Sequence, residues 1–463
     1  MAFAESRIVK KINTRVSRKM GKLGDLTKGD IGRTLIVFSL PMIAGNILQQ
    51  MYNIADTVIV GHTIGEEALS AVGSSYSLMV FLTSIILGLT MGSGAVFAQL
   101  FGGGNISELK KGMANSFIFM FILSLVINII SLILVDDLIV WLNIPPEVIG
   151  YAKIYMTIIL YGIIPVYITN YFSAVLRSVG NSVVSLIFIA LSAVTNIVLD
   201  LVFILKFNMG VGGAAWATVI SQILSALGTA IYFFVKFKEL VPAKNDFVFA
   251  PRLLKYIVSN SVLASVQQSI MNFGILMIQG LVNSFGLIVS AAFTIVVKID
   301  AFAYFPAQDF SNAFSIFVSQ NFGGKKYERI KIGFRQALLI SGVFCLAASL
   351  IVNVFAKELI GLFIDTSVHK SVVETGIQYL RIEGAFYIGI GVLFLLYGIY
   401  RGLAKPAMSV VLTIISLGTR VVLAHILSAI PAIGVLGIWW AIPIGWFLAD
   451  VTGLVYYKKK ILK

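Results

Sequence analysis

Between Leu40 and Gly61 the chain reads LPMIAGNILQQMYNIADTVIVG, an apolar run with a carboxylate inside it. Asn46, Gln49, Asn53, Asp56 and Thr57 recur there at steps of three and four, so a helix sets them roughly on one face. That face must look into protein or water. A carboxylate at such a place is costly unless it is paired, hydrated, protonated or bound to a cation. A second one follows in NIVLD, where Asn196 and Asp200 stand at i and i+4, and Thr218 adds a hydroxyl two residues past Trp216. Two carboxylates, an amide oxygen and a hydroxyl form a hard oxygen set. It suits Na⁺, or two carboxyls trading one proton. The alternative for Asp56 is a hydrogen-bonded clamp between helices.

Other polar groups interrupt later apolar runs. Gln267, Gln268, Ser269, Asn272 and Gln279 lie in one run with Met271 and Met277. Asp300, Tyr304 and Asp309 lie in the next, beside Phe302 and Phe305, and Glu383, Tyr387, Tyr397 and Tyr400 in a third. Methionine and aromatic side chains can line an adaptable cavity, and aromatic faces attract organic cations. The candidates for a substrate cavity or gate are Gln49, Asn53, Gln268, Met271, Asn272, Asp300, Tyr304 and Asp309. Most of the 33 Phe and 13 Met must still be core or lipid contact.

Enzymatic chemistry finds no support. His62, His369 and His425 are scattered, Cys345 is alone, and there is no nucleophile elbow, phosphate-binding loop or metal motif. The expectation is a non-enzyme without a cofactor.

The elements that would carry these groups are membrane spans. Of 463 residues 58% are hydrophobic and 12% charged, with a mean hydropathy of +0.95. A soluble chain carries roughly 25% charged residues. Twelve apolar runs, each near or above the roughly 20 residues a spanning helix needs, fall near 34–60, 67–99, 113–135, 149–175, 182–205, 211–235, 252–280, 287–319, 334–356, 375–400, 406–429 and 432–457. The run with Lys298, Asp300 and Asp309 should face protein or a cavity.

The net charge of +14 does not imply nucleic acid, because the basic residues sit in short loops. They alternate by side. Lys110 and Lys111, Arg177, the stretch from Lys236 to Lys255, Lys325 to Arg335, Arg401 and Lys405, and the tail through Lys463 all lie on the side of a basic N-terminal arm. The opposite loops carry Glu66, Glu67, Asp136, Asp137 and Glu147, with Lys206, Lys357 and Lys370 as basic exceptions. By the positive-inside rule both termini are cytoplasmic. The arm is too long in its charged part for a cleavable signal, and it could touch anionic lipid.

The chain also repeats. QLFGGGNISELKKG at Gln99–Gly112 returns 221 positions later as QNFGGKKYERIKIG at Gln320–Gly333. Arg177 and Trp216 find counterparts in Arg401 and Trp440, 224 positions on. The expected organisation is therefore an arm at 1–33, a six-helix lobe at 34–236, a cytoplasmic linker at 237–251, a second lobe at 252–457 and a basic tail at 458–463. An even number of spans per lobe requires a parallel repeat with a pseudo-twofold axis along the membrane normal. The copies differ chemically: Arg420 stands where Asn196 does, and Ala424 where Asp200 does.

With these motifs in hand, the sequence resembles the multidrug and toxic compound extrusion family, over about residues 30–460. The resemblance rests on YNIADTVIVG ending at Gly61, QLFGGG at Gln99–Gly104, LRSVGN at Leu176–Asn181, NIVLD at Asn196–Asp200 and GGAAWAT at Gly212–Thr218. It implies an all-α polytopic membrane protein of 12 transmembrane helices in two lobes, in the bacterial multidrug exporter branch. It also implies export of organic, often cationic, drugs driven by Na⁺ or H⁺ entry, with the cation at Asp56, Asn196, Asp200 and Thr218. Some members couple through an acid in the seventh span, which this chain lacks. The expected partners are small organic substrates and membrane lipid, with no nucleic acid, and the expected state is a monomer in the inner membrane. The alternatives are a flippase for a lipid-linked saccharide or metabolite and a membrane scaffold without transport.

Overall fold

The computed structural model describes residues 24–141, 144 and 146–460. Most of the basic arm, Arg7 to Lys22, and Lys463 lie outside the described residues. All regular structure in the described part is helical. In the first half the helices are α1 (Ile31–Thr63), α2 (Glu66–Gly102), α3 (Ile106–Ile133), α4 (Val135–Trp141), α5 (Ile149–Leu160), α6 (Ile163–Ser178), α7 (Val183–Leu201) and α8 (Gly210–Lys236). In the second they are α9 (Pro251–Asn283), α10 (Leu287–Gly323), α11 (Tyr327–Val354), α12 (Ala356–Gly361), α13 (Lys370–Gly384), α14 (Tyr387–Gly402), α15 (Pro406–Thr413), α16 (Thr419–Ser428) and α17 (Val435–Lys460).

Among the described residues ten helices are long and apolar enough to cross a membrane. Two bent pairs, Pro146–Leu160 with Ile163–Ser178 (41°) and Lys370–Gly384 with Tyr387–Gly402 (50°), raise the number to 12 if each is one span. These are the fourth and tenth runs of the sequence. The first bend has a local cause: Pro165 has no N–H to offer the carbonyl of Tyr161, and the amides of Tyr161 and Gly162 bond only three residues back, at 3.0 and 2.9 Å. Helices α1 and α2, with 33 and 37 residues, run to about 50 Å at 1.5 Å per residue, well beyond a hydrocarbon core of about 30 Å. Large apolar side chains such as Ile133, Leu339, Leu350 and Phe447 are exposed, as lipid contact requires.

The chain divides into two compact units. Unit 1 comprises residues up to 28, 40–265 and 319–325; unit 2 comprises 29–39, 266–318 and the chain from 326 on. In unit 1 the phenols of Tyr167 and Tyr171 on α6 donate to the carbonyls of Phe117 and Met113 on α3, at 2.8 and 2.7 Å. Glycine lets α2 approach α9 backbone to backbone: a Cβ on Gly88 would meet Ser265, and one on Gly92 would meet Asn260. The repeat shows itself in a reciprocal contact. A Cβ on Gly102 would strike the carbonyl of Gln320, and one on Gly323 the carbonyl of Gln99. Each residue of one elbow meets the repeat partner of its mate, as a pseudo-twofold relation demands. In unit 2, Phe293, Tyr379 and Trp439 form a ring stack, with Tyr379 and Trp439 4.1 Å apart at their centroids.

Candidate functional site

Helix α7 turns Asn196 and Asp200, one helical turn apart, toward the interior of unit 1, where they are 2% and 0% exposed. The amide of Asn196 donates to Thr218 Oγ1 on α8 at 3.2 Å. This leaves Asn196 Oδ1 facing inward with no donor. Asp56 on α1 closes the site: its carboxyl lies within hydrogen-bonding reach of the Asp200 carboxyl, a bond that exists only when one of them holds a proton. Asp56 Oδ1, Asp200 Oδ1 and Asp200 Oδ2 are likewise buried without a donor. Four buried acceptor oxygens on these three residues thus have no donor. Beyond Asp200 the helix passes into a π turn, Val202–Lys206, whose i→i−5 bond joins Phe207 N–H to Val202 O at 3.1 Å. Such wider turns recur at functional sites.

The sequence pattern is only partly kept on α1. Asn53 is half-buried, Gln49 is exposed, and Thr57 is exposed and donates to the Asn53 carbonyl at 2.8 Å. Of the polar face, Asp56 alone reaches the carboxylate of α7. In unit 2, Gln268 and Met271 are buried and border one small cavity; Asn272, next to Met271, is half-buried. Asp309 is buried on α10. Tyr304 sets its ring edge-on to Phe394, centroids 4.8 Å apart. Asp300 accepts a hydrogen bond from Tyr387. Lys298, expected to face protein or a cavity with it, is exposed.

A family model named MatE matches residues 41–202 and 262–426. The chain belongs to the MatE family. It is 31% identical over 448 residues to "Probable multidrug resistance protein YpnP" of Bacillus subtilis (strain 168), spanning 94% of this chain and 97% of that protein. It is 28% identical over 422 residues to "Probable multidrug resistance protein NorM" of Thermotoga maritima, spanning 89% of this chain and 88% of that one. A solved structure described as the outward-facing conformation of a multidrug resistance MATE family transporter of the MOP superfamily superposes with a TM-score of 0.89 at 25% identity, covering 95% of this chain and 98% of that chain. The two matched segments begin 221 and end 224 positions apart, the offsets of the internal repeat. This MatE protein is thus a transporter of two homologous halves, not an enzyme.

The halves carry different chemistry. Arg420, whose partner the sequence does not disclose, sits in the field of Asp300, and Glu383 lies within hydrogen-bonding reach of that same carboxyl. Asp300 thus has a guanidinium in its field and the Glu383 carboxyl and the Tyr387 phenol within hydrogen-bonding reach. Among the described residues no cation acts on the carboxyl pair of unit 1. Tyr155 on α5, 7% exposed, lies near both Asp56 and Asp200 and escapes a reading based on polar residues in apolar runs. The repeat could have found it, since 224 positions on stands Tyr379, beside Glu383 and Asp300. Among the described residues no three of His, Cys, Asp and Glu gather as a metal group would require. Two carboxyls with neutral oxygens fit a proton or a monovalent ion better than a tightly held divalent one.

Proposed function

We propose that this MatE transporter exports organic solutes, cationic ones among them, by alternating access, in exchange for inward movement of Na⁺ or H⁺. The observation that carries the reading is the set of four donorless buried oxygens on Asp56, Asn196 and Asp200. Buried acceptors without donors are expensive, and so are two adjacent carboxylates. A proton or a monovalent cation relieves both at once and draws α1 toward α7. When the ion leaves, the carboxyls repel and the pair opens. An ion that prefers one state and a solute that prefers the other are sufficient for exchange. Thr218 orients the Asn196 amide so that its oxygen is left for the ion. Helix α1 runs unbroken through Pro41, which leaves the Val37 carbonyl without its usual amide and gives the helix a place to flex as the pair closes.

The distribution of loop charges supports an orientation with both termini in the cytoplasm of a cell whose inner membrane holds the chain. One chain contains both halves of the machine, so a monomer suffices. A flippase for an anionic lipid-linked saccharide would call for a basic site, whereas the unit 1 site consists of acceptors.

The test is efflux of a fluorescent monovalent organic cation from proteoliposomes under separately imposed Na⁺ and pH gradients. Gradient-driven movement is expected in the wild type. Asp56→Asn and Asp200→Asn should each reduce it to the level of empty vesicles while binding of the dye persists. Movement that is independent of either gradient, or undiminished in both variants, would remove these carboxyls from coupling.

A further inference from the structure

Unit 2 holds a site of opposite sign. Helices α9, α10 and α14 turn one face each toward a small, partly open space. From α14 come Phe394, Tyr397 and Arg401, at i, i+3 and i+7; from α9, Gln267 and Met271 at i and i+4; from α10, Asn312. The space is about 10 Å³ for water-sized occupants, about what one water needs. Arg401 is 4% exposed and Gln267 1%. Arg401 was expected to be a loop charge setting topology; α14 instead extends through it to Gly402 and buries it.

The guanidinium has one anchor: Nη1 donates to Asn312 Oδ1 at 3.0 Å. Its Nε–H has no acceptor, and neither has the amide nitrogen of Gln267. Among the described residues Arg401 makes no ion pair. Two buried donors without acceptors therefore border one cavity, and the charge of one is uncompensated. A water would accept from both donors but would leave the buried charge unpaired, and that is the larger cost. A carboxylate does both, and one of its oxygens fills the space. Phe394 and Tyr397, both buried, form the apolar wall of that space.

We infer that Arg401 and Gln267 form a subsite for the carboxylate of an organic solute, so that this exporter favours zwitterionic or acidic cargo over the matching neutralised ester. The inference deepens the transport reading and rests on it. The Asn312 contact holds the guanidinium in place, and Gln267 contributes the second donor from a separate helix.

The test uses the full chain in nanodiscs, in low-salt HEPES buffer free of carboxylates and halides, and the fluorescence anisotropy of two probes. One is a rhodamine-type dye with a free benzoic acid; the other is its ethyl ester, which is cationic. The wild type should bind the acid about tenfold more tightly than the ester, as one charge-assisted pair warrants. Arg401→Gln should erase the preference, and Gln267→Met, which keeps the side-chain volume and removes one donor, should reduce it about threefold. Ester affinity should change less than twofold in both. Because Arg401→Gln removes a buried anchor, Gln267→Met serves as the folded control that still carries the argument.

Equal binding of acid and ester by the wild type would mean an ordered water only and would overturn the inference. So would a preference that survives Arg401→Gln in folded protein. A preference abolished by adding chloride would assign the site to an inorganic anion. If the ester is moved by an ion gradient and the acid is not preferred, this inference fails alone. If the ester is neither bound nor moved, the transport reading fails first.

Discussion

Residues in this MatE transporter divide by what their polar atoms lack. In unit 1 the unmatched atoms are acceptors, on Asp56, Asn196 and Asp200. Around Asp300 in unit 2 a guanidinium lies nearby, with Arg420 Nε and Glu383 Oε2 themselves without partners. If Arg420 acts as a resident counterion, its loss should be costly because two carboxyls are left facing each other. Removal of one partner from a buried charge group costs about 3–5 kcal/mol. Arg420→Met should therefore lower the thermal unfolding midpoint in detergent by several degrees, and adding Glu383→Gln should recover most of the loss. A double variant as unstable as the single one would show that Arg420 holds the unit by packing instead. That Asp56, Asn196, Asp200 and Thr218 gather was legible because their types are improbable in apolar runs and match the family motifs. Tyr155 was not, since a tyrosine in an apolar run looks like core, nor was the burial of Arg401. Its position at the end of an apolar run, just before Gly402 and Lys405, reads as a loop, and only the packing of three helices reveals where it points.

At the scale of elements, apolar run length and loop charge located the spans, and even the two bent ones appeared as single runs. The sequence did not disclose how the ends dock. Residues 24–30, read as part of a basic arm, are tied into the protein. Leu26 is 3% exposed; its N–H donates to Gln320 Oε1 at 3.0 Å, and Asn321 donates to its carbonyl at 3.2 Å. Asp25 holds the turn together. Burial pushes its carboxyl up, but bonds from the Lys28 ammonium and from the hydroxyl and amide of Thr27 outweigh this, and the net shift is downward. A depressed carboxyl stabilises the folded turn fully above its ordinary value of about 3.9, and that contribution disappears as pH falls through the lower folded value. Hydrogen exchange of the amides at 26–30, corrected for intrinsic rates, should show protection that is flat between about pH 5 and 8 and lost only below about pH 4. Asp25→Asn should cut that protection several-fold at neutral pH. Protection that declines already between pH 7 and 5 would point to a group other than Asp25.

For the whole molecule, duplication fixes the architecture while divergence makes the two halves chemically unequal. The same family model fits both halves, and the Gly102–Gln320 and Gly323–Gln99 contacts preserve the symmetry at the elbows. The polar residues at the equivalent positions do not follow that symmetry. Position 420 carries Arg in place of the Asn at 196, and 424 carries Ala in place of the Asp at 200. A half that already contains its own guanidinium has no need of an ion from solution, so a cycle should use the Asp56–Asp200 site once. Initial efflux rate against concentration of the driving ion should then saturate with a Hill coefficient of about 1, because independent single-site binding gives no cooperativity. Asp56→Asn should abolish the driven component and not merely halve it. A coefficient near 2, with half the driven rate surviving in Asp56→Asn, would instead place a second exchangeable ion in unit 2. The Asp300–Glu383 pair would be its natural seat, and Arg420 would then have to move aside during the cycle.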